Sequence, residues 1–441
     1  MGVESTFSLY DIVAGLSSAL DLVSPRVVHH HQRVAYIASS IAAEMGEDKE
    51  TVTDIIVAGL LHDAGAISLH NRLDVMNFEI ECPYEHAERG YLFITPYAPF
   101  ATVARLVRHH HVPWEDGRGA SFQGEPVLPA SQILHLADRI DVLIDPREPI
   151  LGQVRHICQK IRGHSIRWFM PEALDAFLRL AHKEYFWLDA VSPAVESILA
   201  RRMAQSSGAI ISTEGLEAIA GLFSRIIDFR SHFTAMHSNG VGAIAEYLAG
   251  NCGMTTEECR QIRIAGLLHD LGKLAVPKEI LEKPAKLSPH DTSIIRAHTF
   301  YTYRILERIR GFENICCWAA YHHERLDGSG YPFHISGEEY SLGCRIISVA
   351  DIFTAITEDR PYRRGITVER ALKVLLSLVK KGKLDGELVA LVQDRHRELN
   401  ALRDNAEETY TRQYESVARH FKRAGRDSCW GSDGNMHLTG Q

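Results

Sequence analysis

The strongest constraint on the fold is an internal repeat. The hexapeptide Ala-Gly-Leu-Leu-His-Asp occurs twice without change, at 58–63 and again at 265–270. A chain of 441 residues is also too long for one ordinary hydrophobic core. The repeat therefore predicts two duplicated domains.

The repeat extends to a series of histidines and aspartates at matched spacing. In each half, a histidine lies 32 residues before the His-Asp pair and opens an apolar pattern at helical spacing. Another histidine lies 24 residues before a pair of adjacent histidines, and an aspartate follows that pair after 28 or 29 residues. The matching sets are His30, His62, Asp63, His86, His110, His111 and Asp138 in the first half, and His237, His269, Asp270, His298, His322, His323 and Asp351 in the second. Chance would rarely reproduce so many offsets.

Helical periodicity runs through both halves, and strand signals are sparse. We predict an all-α protein of two helical bundles in tandem, over 1–205 and 209–403, followed by a C-terminal tail over 404–441. The small polar residues 206–208 form the expected linker, and the Ser-Thr-Glu sequence at 212–214 predicts the start of the next helix.

Composition excludes several functional classes. The formal net charge of -8 argues against a broad surface for polymeric nucleic acid. The sequence has neither a basic region ahead of an apolar leader nor an apolar run of membrane-spanning length, so we expect no membrane association. The eight cysteines form no CxxC pair or regular frame, which favours a reducing cytoplasm.

The repeated residue types indicate metal chemistry. Imidazole and carboxylate ligands without thiolates suit Fe, Mn, Co, Ni or Zn, and we favour iron or manganese. A carboxylate such as Asp270 can bridge two cations, and two cations about 3.5–4 Å apart can activate a shared water for phosphoryl displacement. A single His-Asp pair on an apolar helix is more often a core pair. The repeated set of seven favours a metal centre in the second half.

Several further residues in the second half could contact a phosphorylated ligand. Lys273 lies three residues after Asp270, on the same face if the helix continues. Arg360 and Arg363 follow Asp351 closely, and guanidinium groups match phosphate geometry, although a solvated patch is the alternative. Tyr331 ends a glycine-rich loop and could stack near the site or serve packing alone.

Taken together, HDLGK, HHERLDGSGYP and the stretch from Asp351 to Arg363 resemble the HD-GYP phosphodiesterases. The resemblance covers roughly 230–400, whereas the first half resembles a general HD domain without the GYP sequence. It implies an all-helical fold, two or three metal ions that are often iron, and hydrolysis of cyclic dinucleotides to linear 5′-phosphorylated products.

Transferred by position, the resemblance makes the seven second-half residues metal ligands, with Asp270 bridging. It makes Lys273, Arg360 and Arg363 phosphate-binding or catalytic residues. Members with a third metal have a glutamate four residues before the first histidine, and Phe233 stands there. A centre with two divalent ions is therefore expected.

The resemblance leaves the substrate open. The usual substrate of the family is cyclic di-GMP, whereas members with an amino-terminal HD-like domain can prefer 3′,3′-cyclic GMP-AMP (cGAMP). Some also remove the 5′-phosphate of the linear product. A nucleotide phosphomonoesterase and a nucleotide receptor without turnover remain as alternatives, and a homodimer is compatible with the sequence.

The first half departs from the second at the phosphate-binding positions. Ala66 stands at the offset of Lys273, and VPWEDGRGA replaces ERLDGSGYP. Ile150 takes the offset of Arg363, although Arg147 keeps that of Arg360. We expect no cyclic-diester cleavage there. A metal kept for folding, a regulatory nucleotide pocket and a residual monoesterase remain open.

Overall fold

The architecture is helical, as the sequence predicts. Helices make up 72% of the computed structural model, and the few strands are two or three residues long, which confirms the all-α class. The described residues are 6–22, 29–66, 76–80, 83–206, 209–230, 237–283, 285–358 and 365–424. Within these ranges, no helix combines the length and the apolar character needed to cross a membrane.

The first half is a bundle preceded by a short strand. Its strand β1 covers Thr6–Ser8. Its helices are α1 (Leu9–Asp21), α2 (His30–Met45), α3 (Lys49–Leu61), α4 (Pro83–Ile94), α5 (Ala101–His109), α6 (Pro129–Asp141), α7 (Ile150–Gly163), α8 (Ser165–Trp168), α9 (Pro171–Ala181), α10 (Glu184–Val191) and α11 (Val195–Met203). A two-residue hairpin pairs β2 (Ser121–Phe122) with β3 (Glu125–Pro126).

The second half begins in the same way, with a strand before its first helix. Strand β4 covers Ile210–Ser212. Its helices are α12 (Thr213–Arg230), α13 (His237–Asn251), α14 (Thr256–Leu268), α15 (Lys278–Leu281), α16 (Pro289–Leu306), α17 (Glu313–Ala320), α18 (Leu342–Thr357), α19 (Val368–Lys380) and α20 (Gly386–Ala424). The predicted helix start is confirmed, because the Ser212 hydroxyl accepts a hydrogen bond from the Gly215 amide at 3.3 Å.

The repeated hexapeptide ends a helix in each half, at the close of α3 and of α14. A glycine lets this helix pack directly on the backbone of its neighbour. A Cβ added to Gly59 would lie 2.6 Å from Ala35 Cα, and one added to Gly266 would lie 2.7 Å from Gly242 Cα. The α2–α3 and α13–α14 pairs are therefore closely packed in the same way.

Helix α1 contacts both halves. The Ser17 hydroxyl donates to the Leu60 carbonyl of α3 at 2.5 Å, while a Cβ added to Gly15 would lie 2.8 Å from the Ile309 side chain in the second half. Asp11 pairs with Arg310 at 3.2 Å. Strand β1 also pairs antiparallel with β4. The first residues of the chain thus form part of the contact between the halves.

The C-terminal boundary predicted for the second domain does not coincide with the end of a helix. The boundary predicted at residue 403 lies inside α20, which continues to Ala424 because the sequence from 404 to 424 contains neither glycine nor proline before that residue. Most of the predicted linker, residues 207 and 208, and the stretch 425–441 lie outside the described residues.

Candidate metal centres

The structure brings the seven repeated residues of the second half into one largely buried group, here called the second centre, in which His323 is partly exposed. They come from five places in the fold, because His269 and Asp270 are adjacent after α14 and His322 and His323 are adjacent after α17. His237 begins α13, Asp270 follows α14 and Asp351 lies within α18. The remaining members are His269, His298, His322 and His323. The matched spacing therefore corresponds to spatial convergence.

Asp270 occupies the middle of the second centre. One of its carboxylate oxygens lies 3.4 Å from His298 Nε2, and the other lies 3.3 Å from His269 Nε2. His298 Nε2 in turn lies 3.3 Å from His322 Nε2. On the other side, His237 Nε2 lies 3.1 Å from Asp351 Oδ1. A carboxylate whose two oxygens face different imidazoles has the geometry that bridging requires.

Backbone carbonyls orient three of the imidazoles. Each Nδ1 lies 2.6–2.7 Å from the carbonyl oxygen three residues earlier. A carbonyl can accept but not donate, so Nδ1 carries the proton and Nε2 keeps its lone pair. The pairs are His269 with Gly266, His298 with Ile295, and His322 with Ala319.

His237 is oriented by a side chain that the sequence analysis missed. Its Nδ1 lies 3.0 Å from Oε2 of Glu358, a buried residue directly after α18. Burial alone would lower the pKa of His237, but Glu358 and Asp351 raise it to about 10. A carboxylate behind a ligating imidazole fixes the ring and increases its basicity. The weak signal was an acidic residue two helical turns after Asp351.

The pKa values of His298, His323 and Asp270 favour the protonation states that bind metal. Burial lowers the pKa of His298 to about 4 and that of His323 to about 3, so both rings are neutral near neutral pH. Burial would raise the pKa of Asp270, but His269 and Lys273 hold it well below its usual range.

The donor set fits a metal site. The buried Nε2 of His269 has no hydrogen-bond partner among the described residues, and a buried nitrogen without a partner is costly unless another ligand satisfies it. Candidate ligand atoms within 4.8 Å of one another include those of His237, His269 and Asp351, and those of His298, His322 and His323. First-row divalent cations are suited to such nitrogen and oxygen ligands.

Lys273 lies beside the second centre, but not on a continued α-helix as the sequence suggested. The α-helix ends at Leu268, and Lys273 belongs to a 3-10 segment, Leu271–Ala275. This segment packs closely on α16, since a Cβ on Gly272 would lie 1.9 Å from the His298 carbonyl oxygen. The turn still places Lys273 Nζ 2.5 Å from Asp270 Oδ2. The ammonium group therefore lies next to the central carboxylate.

The glycine-rich loop carries Tyr331 to the second centre. Its ring centroid lies 5.0 Å from that of His323. The guanidinium of Arg296 also lies over the Tyr331 ring, 4.3 Å from its centroid. The sequence analysis did not single out this arginine. Glu324 anchors the loop, since its carboxylate accepts hydrogen bonds from the amides of Phe333 and His334. Nothing in the spacing of Arg296 distinguishes it from other helical arginines.

Three residues singled out in the sequence cannot be located. Arg360, Arg363 and Phe233 lie outside the described residues. The expected guanidinium contacts and the argument for two metals from Phe233 therefore remain predictions.

The seven repeated residues of the first half also converge, and this group is called the first centre. His30 Nε2 lies 3.2 Å from His62 Nε2, and His86 Nε2 lies 2.9 Å from His111 Nε2. Asp63 belongs to two sets of mutually close ligand atoms, as a bridging residue would. These sets are Asp63 with His86, His110 and His111, and Asp63 with His30 and His62.

At the offsets of Lys273, Arg360 and Arg363, the first half has Ala66, Arg147 and Ile150. Ala66 is buried and offers no charge. Arg147 is exposed and pairs with Asp145 at 2.7 Å, while Ile150 is buried at the start of α7. The sequence analysis did not single out Arg139, a buried residue whose guanidinium lies 2.6 Å from Asp138 Oδ2.

Family models match both halves. Two models, each described as an HD domain, match residues 27–143 and 221–388. The matched ranges contain all of the first centre and all of the second.

Curated proteins and a solved structure are similar over nearly the whole chain. The 3′3′-cGAMP-specific phosphodiesterase 1 of Vibrio cholerae is 29% identical over 89% of this chain and 93% of its own length. Phosphodiesterase 3 of the same name and organism is 27% identical over 84% and 91%. The crystal structure of a V. cholerae cyclic GMP-AMP-specific phosphodiesterase, V-cGAP3, superposes with a TM-score of 0.60, at 25% identity over 90% of this chain and 98% of that one.

A more identical relative matches a shorter region. The cyclic di-GMP phosphodiesterase response regulator RpfG of Xanthomonas campestris is 36% identical over 36% of this chain and 43% of its own length.

Proposed function

We propose that this chain, which consists of two HD domains in tandem, is a metal-dependent phosphodiesterase that opens 3′,3′-cyclic dinucleotides, and that the second domain performs the reaction. The observation that carries the proposal is the second centre with Lys273 beside it. We further propose the division of the chain at 205–209 and near 403 as the domain boundaries.

The second centre is open on the side where the reaction would occur. The side chain of His323 is 24% exposed and that of Lys273 is 22% exposed, whereas the side chain of Asp270 is 1% exposed. Tyr331 borders the same side. An anionic ligand can therefore approach a buried centre past one ammonium group and one aromatic ring.

We propose that the seven residues of the second centre hold two divalent ions, iron or manganese, with Asp270 between them. Such ions would lower the pKa of a water molecule and offset charge on the phosphate. Lys273 would hold a non-bridging phosphate oxygen, and Glu358 would keep His237 in its ligating orientation. Arg360 and Arg363 would bind the second phosphate, and Tyr331 would stack on a base.

The proposed reaction is hydrolysis of one phosphodiester bond. A water oxygen forms a bond to phosphorus, the bond from phosphorus to the 3′-oxygen breaks, and the 3′-oxygen takes up a proton. The product is a linear dinucleotide with a 5′-phosphate and a free 3′-hydroxyl. Subsequent removal of the 5′-phosphate would be a second, separate hydrolysis.

The relatives favour cGAMP as substrate. Two relatives that match more than four fifths of this chain are named as cGAMP-specific, whereas the cyclic di-GMP phosphodiesterase RpfG matches about a third of it. We therefore propose cGAMP as the preferred substrate, with cyclic di-GMP as the alternative.

The proposed setting is a reducing cytoplasm. The described cysteines Cys158, Cys252, Cys259, Cys316, Cys317 and Cys344 are all free thiols.

The test is product analysis under anaerobic conditions. The full chain, with its metal content assayed, is incubated with cGAMP, cyclic di-GMP and cyclic di-AMP in ¹⁸O-labelled water, and the products are identified by mass spectrometry. We expect linear product with one label on the 5′-phosphate and the fastest turnover with cGAMP.

Other outcomes separate the alternatives. Release of phosphate from mononucleotides without ring opening would establish a phosphomonoesterase. Tight binding of a cyclic dinucleotide by metal-loaded protein without turnover would establish a receptor. Both results would contradict the proposal.

A further inference from the structure

The two centres differ most in their access to solvent. His111 and His323 occupy matching positions, yet the side chain of His111 is 3% exposed and that of His323 is 24% exposed. Asp138 and Asp351 also match, and their side chains are 2% and 10% exposed. The first centre is closed at the side where the second is open.

Arg139 accounts for part of this closure. Its guanidinium donates to Asp138 Oδ2 at 2.6 Å, and also to the backbone carbonyls of Asn77 at 2.6 Å and Phe78 at 3.0 Å. It thereby ties a segment that lies outside the helices to a residue of the centre. In the second half, the apolar Ile352 occupies the matching position.

The tied segment is also held from the other side. The ring of Phe78 stacks on Trp168 with centroids 5.3 Å apart and planes inclined by 12°. It makes an edge contact with His164 at 5.0 Å, and Lys160 lies over it at 5.1 Å. Aromatic stacking and a cation–π contact therefore fasten the segment to α7 and α8.

The closed centre still has unsatisfied ligand atoms. His110 Nε2 and Asp63 Oδ1 are buried without a hydrogen-bond partner among the described residues. Arg139 reaches Asp138 but satisfies neither of these atoms. Four candidate ligand atoms of Asp63, His86, His110 and His111 lie within 4.8 Å of one another. Ligands on opposite sides of one ion at about 2.0–2.2 Å would be about 4.0–4.4 Å apart, so the set is close to ligating distance.

We propose that the first centre is a sealed structural metal site, in which Arg139 and the Asn77–Phe78 backbone close the entrance. It takes divalent first-row cations, releases them slowly and admits no nucleotide. The inference concerns the first domain alone and does not depend on the activity proposed for the second.

The test measures metal release instead of hydrolysis. Full-length protein loaded with Mn²⁺ is mixed with excess chelator, and the retained manganese is measured over time. We expect two phases, of which Asp270→Ala removes the fast one and Asp63→Ala the slow one. Arg139→Met should accelerate the slow phase about 10- to 100-fold, the scale at which residues behind metal ligands affect binding.

Two further variants serve as an alternative to Arg139→Met and as a control. Phe78→Ala loosens the same segment without touching Asp138, so it should also accelerate the slow phase, and it replaces Arg139→Met if that variant fails to fold. Arg202→Met is the matched control, since Arg202 bonds Ser39 and Ser40 away from the entrance and should leave both phases unchanged.

Two outcomes would overturn the proposal. A slow phase that persists unchanged in a folded Phe78→Ala or Arg139→Met variant would show that the entrance is not sealed there. A single phase that Asp270→Ala abolishes would show that the first centre binds no metal and that Arg139 serves as its internal counter-charge. Neither result bears on ring opening, which product analysis tests separately.

Discussion

The two HD domains share an arrangement of histidines and aspartates but differ in the residues around it. In the second domain, Lys273 lies beside Asp270, and the residue after Asp351 is apolar. In the first, an alanine replaces the lysine, and Arg139 binds Asp138 directly. The positive charge nearest each centre therefore contacts a different carboxylate, Asp270 in the second domain and Asp138 in the first. The repeat has therefore kept the histidines and aspartates of the two centres without keeping the charged residues around them.

The largest expected effect on activity distinguishes Asp270 of the second centre from Asp63 of the first. Asp270→Ala should abolish ring opening and lower bound metal, because it removes the carboxylate between the two groups of imidazoles. Asp63→Ala should leave ring opening at least partly intact. Steady-state hydrolysis of cGAMP and metal analysis of both variants provide the measurement. If a well-folded Asp63→Ala variant were as inactive as Asp270→Ala, the domains would form one coupled catalytic unit.

The next effect concerns the lysine that the first domain lacks. Lys273→Ala should retain metal but lose roughly 10²- to 10³-fold in kcat, the usual scale for one electrostatic contact in the transition state. Lys278→Ala is the control, because Lys278 lies in the same region and pairs with Glu282 at 3.6 Å. Loss of metal from Lys273→Ala would instead indicate a structural role.

A smaller effect is expected at the aromatic border of the second centre. Tyr331→Ala should raise KM about tenfold, because stacking of a base on an aromatic ring contributes about 1–3 kcal/mol. Tyr331→Phe keeps the ring and should bind substrate nearly normally. A lowered melting temperature with unchanged KM in Tyr331→Ala would assign the ring to packing alone.

The smallest expected effect is on the free energy of unfolding. It arises at Asp54, where the two domains differ in charge. Asp54 lines a cavity of about 490 Å³ that also contacts Tyr97 and Ile211. Burial, and then Glu50 and Asp48, raise the pKa of Asp54 to about 6. The matching residue of the second domain, 207 positions later, is the neutral Gln261.

The sign of the pH dependence follows from this raised pKa. The folded state binds a proton more tightly at Asp54 than the unfolded state, so its stabilising contribution is lost as pH rises toward and through 6. Asp54→Asn should therefore stabilise the fold by about 1 kcal/mol at neutral pH, after allowance for partial exposure, and by little near pH 4. Denaturant unfolding at both pH values measures the difference, and an equal gain at both would refute the electrostatic cause.

The centres could be predicted from the sequence because the duplication repeats their spacing. One copy of His30 or Asp63 is weak evidence, but two copies at equal offsets give an internal comparison. The repeat does not single out Glu358 or Arg139. Asp145 stands at the offset of Glu358 but pairs with Arg147, and the apolar Ile352 stands at the offset of Arg139. Glu358 meets His237 across 121 residues, and Arg139 meets the Asn77 carbonyl across 62. Such contacts are formed by packing, which one-dimensional spacing does not encode. The short strands β1 and β4 were missed for a related reason, since three residues are too few to show an alternating pattern.

The pairing of β1 with β4 has a consequence for proteolysis of the chain. A protease that cuts between α11 and β4 would break one covalent connection, but β1 would still pair with β4, and α1 would still pack on both sides of the cut. The two fragments should therefore co-elute in size-exclusion chromatography and separate only under denaturing conditions. A gel that shows two bands is thus no evidence that the halves have come apart.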